Sequence, residues 1–218
     1  MRLVIWDIDG TLVDSRALIL ASMNAGLTAA GLDPLPPRRI GAIVGLSLPV
    51  AVATLVPDAT EDARATVVDT YRRSYFAARS HAESPLFPGA RDLLDRLAAR
   101  GDMVMAVATG KSRRGLDGLL AAHDLGGYFA TTHCADDHPS KPAPGMVLAC
   151  LADTGIAAGD AVMVGDTSFD ILMAGNAGVA AFGVAWGHHP SADLSAAGAR
   201  AVANDFAGLT ALIEDWAR

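Results

Sequence analysis

Nowhere does the sequence run for about 20 residues without a charge or a glycine, the length a spanning helix needs, so no membrane partner is expected. The longest apolar stretch, Ile171 to Gly187, is interrupted by Asn176 and by four glycines. It reads as a helix end, a turn and a buried strand. Cysteine is scarce: Cys134 and Cys150 fall in different predicted elements without metal-type spacing, which excludes a disulfide framework or zinc site and suits a reducing cytoplasm. Positive charge is also short, with 17 Lys and Arg against 24 Asp and Glu and a formal net charge of -7. That balance argues against a nucleic-acid partner and against anionic lipid, so any anion site must be built from a few placed donors. Neither an internal repeat nor a low-complexity linker occurs. The opening run Leu3-Val4-Ile5-Trp6 leads into a polar motif, not a small-residue cleavage site, which argues against a secretory signal.

What is present is a chain of 218 residues, enough for one large core or for a core with a smaller insert. Short β-type runs lie at Leu3 to Trp6, Met103 to Val107, Ala161 to Val164 and Ala180 to Val184, with helical patterns between them. Near-continuous apolar runs suit strands buried on both faces, and the alternation with helices predicts an α/β fold with a Rossmann-like parallel sheet. Asp92 to Ala98 and Met146 to Thr154 read as amphipathic helices, stopped by Gly101 and Gly155.

Between Ser15 and Ala82 the pattern is helix upon helix. The expected division is a core of residues 1–14 and 83–218 with an inserted α-helical domain of residues 15–82. Asp14 and Ser15 cap a first helix that Pro34, Pro36 and Pro37 end. Ala63, Val67, Tyr71 and Tyr75 recur at i, i+4 as a core-facing stripe, so both tyrosines read as packing.

Chemistry-bearing residues follow the strands, where ligands gather in parallel sheets. Asp7-Ile8-Asp9-Gly10-Thr11-Leu12 follows the first, Thr109-Gly110-Lys111-Ser112 the second, and Gly165-Asp166-Thr167-Ser168-Phe169-Asp170 a later one, preceded by Ser140-Lys141-Pro142-Ala143-Pro144-Gly145. If Gly10 turns the chain, Asp7 and Asp9 can share a crevice and divide labour, one as nucleophile toward phosphorus and one as general acid and base. Asp166 and Asp170 supply the oxygen donors Mg²⁺ prefers. Thr109 and the amides around Gly110 can bind phosphate oxygens, and Lys141 can pair with Asp7 and the phosphate. Each motif alone reads as a cap, a turn or a solvated charge; their joint order points to phosphoryl transfer.

These motifs resemble those of the haloacid dehalogenase superfamily of phosphohydrolases, over essentially the whole chain. Asp7 to Ser15 is similar to the first motif, Thr109 to the second, Lys141 to the third, and Gly165-Asp166 through Asp170 to the fourth. The resemblance implies Asp7 as nucleophile and Asp9 as general acid/base, with Mg²⁺ bound by Asp7, Asp166 and the main-chain oxygen of Asp9. Asp170 is implied as a ligand or as a holder of metal-bound water. A helical insert at this place resembles the mobile cap of phosphoglycolate phosphatases and β-phosphoglucomutases, with hinges near Asp14 to Arg16 and Ala82 to Pro88. Gly41 to Leu48 becomes the candidate contact with the leaving group. Trp6 stands where the family more often has Phe, a change of packing. His133, His138, His188 and His189 match no motif and read as surface or loop residues.

The implied partner is a small phosphorylated metabolite, with 2-phosphoglycolate leading, and the implied state a monomer or homodimer. A sugar-phosphate mutase is the nearer rival, but such enzymes tend to carry a polar His early in the first cap helix, where Leu18 and Ile19 stand here. A noncatalytic phosphate-binding regulatory module is the more distant rival, since receivers of that kind lack the insert and the second aspartate.

Overall fold

In the computed structural model, which describes residues 1–79 and 84–218, β1 (Arg2–Trp6) leads into four helices: α1 (Arg16–Ala29), α2 (Pro37–Gly41), α3 (Leu48–Leu55) and α4 (Glu61–Arg79). The chain continues through α5 (Ala90–Ala98), β2 (Met103–Thr109), α6 (Arg113–Ala122), β3 (Thr131–Cys134) and α7 (Gly145–Thr154). It ends with β4 (Ala161–Gly165), α8 (Ser168–Asn176), β5 (Ala180–Val184), α9 (Ser191–Ala196), β6 (Ala201–Ala203) and α10 (Phe206–Trp216). The strands pair in parallel in the order β3-β2-β1-β4-β5-β6, so the fold is α/β with a Rossmann-like sheet, as the apolar runs imply.

The apolar runs correspond to the four adjacent inner strands. The edge strands β3 and β6 carry no such run, because an edge strand is only partly covered: Thr131, Thr132 and His133 are half-buried, as are Ala201 and Val202. Side chains of β1 alternate between faces. Val4 and Trp6 join Leu94 of α5, Leu116 of α6 and Ile213 of α10 in one apolar cluster. Leu3 and Ile5 join Val147 of α7, Ile171 of α8 and Leu194 of α9 in another. Trp6 therefore lies within a core layer.

Helices α1 to α4 have an apolar cluster of their own, including Ile19, Met23, Leu27, Val52, Leu55 and Val67. The two chain crossings into this helical insert pair with each other: Asp14 N donates to Pro85 O at 2.8 Å, and Phe87 N to Leu12 O at 2.9 Å. The expected hinge at residues 82–88 and the expected boundary at 82/83 fall partly on residues 80–83, outside the described residues. None of the described helices is long and apolar enough to cross a membrane.

The packing generates a contrast between two leucines. Leu94 is fully buried, whereas Leu148 is 47% exposed. Leu94→Ala should lower stability by about 2–5 kcal/mol, the cost of lost burial plus a cavity, and Leu148→Ala should change it by less than about 0.5 kcal/mol. Equilibrium urea denaturation monitored by tryptophan fluorescence checks both values.

Candidate active site

The sheet order reverses direction between β1 and β4, the place where a parallel α/β sheet opens a crevice at its strand carboxyl ends. Asp7 follows β1 and Asp166 follows β4, one on each side of that crevice. Asp7 N still bonds to Val164 O at 2.9 Å, so the nucleophile candidate is anchored by the ladder. The chain then folds back, with Leu12 N and Val13 N both donating to Ile8 O and Gly10 N donating to Val13 O. Gly10 has φ of 82°, and a Cβ there would collide with the Asp166 carboxylate and the His188 ring. Only glycine serves at this turn.

Lys141 Nζ donates to Asp7 Oδ1 at 2.7 Å and to Asp170 Oδ1 at 2.5 Å, and all three side chains are buried. The other oxygen of Asp170 accepts from Thr167 N at 3.0 Å and Thr167 Oγ1 at 2.8 Å, a capping box that holds it at the start of α8. Burial would lower the Lys141 pKa, but the charges of Asp170 and Asp7 outweigh it and hold the ammonium well above its ordinary value. Asp7 is pushed up to about 7: burial is the main cause, Lys141 opposes it, and the charges of Asp170 and Asp166 add to it.

Asp7, Asp166 and Asp170 each offer an oxygen within 4.8 Å of the others. Three buried carboxylates gathered around one lysine leave negative charge in excess, and an all-oxygen donor set is the kind a hard divalent cation such as Mg²⁺ takes. The residues present therefore fit that ion. Asp9, expected to reach the metal through its main-chain oxygen, does not join this carboxylate cluster. Its side chain is taken by Lys111, whose Nζ lies 2.8 Å from both carboxylate oxygens. Burial would raise the Asp9 pKa, yet Lys111 draws it below the usual carboxylate range.

Thr109 is buried at the end of β2, and Gly110, Lys111 and Ser112 follow it along the cavity wall. Ser112 caps α6, its Oγ accepting from Gly115 N at 3.2 Å. A cavity of about 210 Å³ separates these core loops from the helical insert. The insert contributes Val44 to Pro49 with Tyr71, Arg72 and Tyr75. The loop expected to approach the leaving group thus lines the cavity. It is also docked: Ser47 N donates to Ser140 Oγ at 2.9 Å, and a Cβ on Gly110 would collide with the carbonyl of Gly45.

Three residues gain parts that their sequence context did not assign. Lys111 stood inside the motif after β2, and its adjacency to Thr109 was the available signal. Tyr75 packs, as the i, i+4 stripe implies, its ring stacked on Tyr71 with centroids 5.8 Å apart. Its hydroxyl, however, accepts from Lys111 Nζ at 2.7 Å, which corrects the reading of Tyr75 as packing alone. Periodicity locates the ring and is silent about its polar tip. His188, expected on a surface or loop, has a side chain only 3% exposed. Its Nδ1 lies 2.8 Å and its backbone N 2.7 Å from Asp166 Oδ2. Burial would lower its pKa, but Asp166 outweighs that and raises it. Thr11 Oγ1 donates to the other Asp166 oxygen at 3.1 Å. His133 and His138 lie apart from this site, 3.0 Å from each other.

The family described as haloacid dehalogenase-like hydrolase matches residues 4–184. The protein named "Probable phosphatase IndB" from Dickeya dadantii (strain 3937) is 36% identical over 208 residues, covering 94% of this chain and 90% of its own. A phosphoglycolate phosphatase of Agrobacterium fabrum (strain C58 / ATCC 33970) is 34% identical over 214 residues, covering 95% and 90%. A crystal structure of a hydrolase from Pseudomonas syringae shares the fold, with a TM-score of 0.89 at 24% identity and 100% coverage of both chains.

The raised Asp7 pKa has a consequence for stability. An acid whose folded value, about 7, lies above its ordinary 3.8 makes the folded state bind the extra proton, so stability falls as pH rises between those two values. In EDTA, Asp7→Asn should therefore melt above the wild type by a margin that is absent near pH 4, grows toward pH 7 and is flat beyond. Thermal unfolding across that range measures the margin; one independent of pH would refute the burial argument.

Proposed function

The chain belongs to the haloacid dehalogenase-like hydrolase family and is a phosphatase of it, and from that premise we propose that it hydrolyses a small phosphomonoester through an aspartyl-phosphate on Asp7. The observation that carries this reading is the buried Lys141 bridge between Asp7 and Asp170, with Asp166 beside it. A carboxylate oxygen of Asp7 forms a bond to phosphorus as the bond from phosphorus to the leaving oxygen breaks, and Asp9 gives that oxygen its proton. Water then attacks the phosphorus of the aspartyl-phosphate while Asp9 takes the water's proton, which releases inorganic phosphate and restores the Asp7 carboxylate.

Thr109 and the amides near Gly110 hold the nonbridging oxygens, and Lys141 balances charge that builds up during transfer. Asp7, Asp166 and the main-chain oxygen of Asp9 would hold Mg²⁺, with Asp170 as a further ligand or as the holder of a metal-bound water, and the ion would supply the positive charge that lets a carboxylate approach a phosphate dianion. His188 orients Asp166 through its two hydrogen bonds, as partners behind a ligand commonly do.

Residues 15–82 act as a cap whose closure on the core excludes bulk water and whose opening releases product. The substrate favoured by the relatives named phosphoglycolate phosphatase is 2-phosphoglycolate, and the partner is in any case a small phosphorylated metabolite. Hydrolysis is preferred to a mutase reaction because Leu18 and Ile19 offer no polar group at the start of α1.

Phosphate release from a panel of small phosphomonoesters tests the mechanism. Release should require Mg²⁺, stop in EDTA, and fall at least about a thousandfold in Asp7→Asn, as loss of a covalent nucleophile does. Release that survives Asp7→Asn would remove Asp7 from the nucleophile's part. The docked seam has its own probe: Gly110→Ala places a methyl group against the Gly45 carbonyl, so the seam must open, kcat should drop, and stability should fall by about 1–3 kcal/mol as overpacking does. Unaltered kcat in that variant would show that the docked seam is not needed for turnover.

A further inference from the structure

Lys141 and the three clustered carboxylates account for the phosphate end of the site, yet a second lysine is buried a short way along the same cavity. Lys111 has a side chain only 6% exposed, and its ammonium is shared among both oxygens of Asp9 and the hydroxyl of Tyr75. Among the described residues lining the cavity, the cations are Lys111 and Arg72. Arg72 is three residues before Tyr75 on α4, so the two share a helix face. It is exposed and makes no side-chain hydrogen bond or ion pair with the described residues. Much of the rest of the insert's wall is apolar, including Ile19, Met23, Val44 and Leu46. Asp136, also on the wall, accepts a hydrogen bond from the Arg113 backbone.

We propose that Lys111 and Arg72 form the subsite for the carboxylate of the leaving group, and that these two residues select a phosphorylated hydroxy acid over a neutral ester of the same size. The inference rests on the phosphatase reading of the same site. For Asp9 to reach the leaving oxygen, one of its carboxylate oxygens must come free of Lys111. In an apolar cavity a buried ammonium gives up one anionic partner readily only when another replaces it. A substrate carboxylate beside Lys111 is that replacement, whereas a neutral leaving group offers none. Arg72 presents the planar fork that pairs with a carboxylate through two parallel hydrogen bonds, and its lack of a partner leaves it available. The volume of about 210 Å³ suits a leaving group of a few carbons.

The test compares two esters of nearly equal size, 2-phosphoglycolate and 2-hydroxyethyl phosphate, which differ in whether the leaving group carries a carboxylate. Wild-type kcat/KM should favour 2-phosphoglycolate. The ratio of the two kcat/KM values should fall about tenfold in Arg72→Gln, chiefly through KM, because a charge-assisted pair is lost. Arg72→Lys should recover part of the ratio, and Lys111→Met should narrow it as well. Arg72 is exposed, so its variants leave the fold intact even if Lys111→Met does not fold.

Equal losses on both esters would reduce Lys111 and Arg72 to general positioning and overturn the subsite. So would a wild type that prefers 2-hydroxyethyl phosphate, or one that hydrolyses an aryl phosphate in an Mg²⁺- and Asp7-dependent manner but neither of the pair. In those cases the phosphatase reading stands. Absence of release from every ester would instead remove the phosphatase reading, and the subsite with it.

Discussion

One ammonium, that of Lys141, lies between the carboxylates of Asp7 and Asp170 in a place with almost no solvent. Buried charge is tolerated only when it is paired and hydrogen-bonded, so this contact constrains every loop that contributes to it. The loop after β1 must turn at once, at a glycine, to leave room for Asp166. The segment before α7 must deliver a lysine into the crevice, and the first turn of α8 must hold Asp170 by a capping box. Removing Lys141 would leave three carboxylates facing one another without their internal counter-charge. Burial, with the charges of Asp170 and Asp166 added to it, raises the Asp7 pKa against the pull of Lys141, and the gathered carboxylates make the cluster suited to a divalent cation.

Lys111 does for the helical insert what Lys141 does for the core. It ties Asp9, on the loop after β1, to Tyr75, on the last helix of the insert, so the acid/base candidate touches the proposed cap through one side chain. Backbone packing reinforces the join, because Gly110 lies against Gly45 and Ser47 bonds to Ser140. The docking of the insert and the placement of Asp9 therefore rest on the same set of contacts. That arrangement suits an enzyme that must exclude water from one step and admit it in the next.

The inner strands were legible because strands buried on both faces need nearly continuous apolar residues, and the helices between them because amphipathic periodicity is local. The edge strands β3 and β6 were not, since Thr131-Thr132-His133 faces partial solvent and Ala201 to Ala203 is too short to show a period. In the site, Asp7, Asp9, Thr109, Lys141, Asp166 and Asp170 could be named from motif order. What motif order left open was the pairing of the Asp9 side chain with Lys111, and His188 and Tyr75 entered the site from runs that read as a loop and a packing stripe.

By itself the sequence determined which residues sit at the carboxyl ends of the buried strands, and with them the phosphate end of the chemistry, because turn residues, apolar runs and acidic pairs act over a few positions. The tertiary structure decided who pairs with whom. Lys111 meets Asp9 across 102 residues and Lys141 meets Asp7 across 134. Such partners are chosen by strand order and by the docking of the insert, and neither leaves a periodic mark on the chain. The chemistry facing the leaving group depends on that docking, which is why it could be read only once the helices of the insert stood over the sheet.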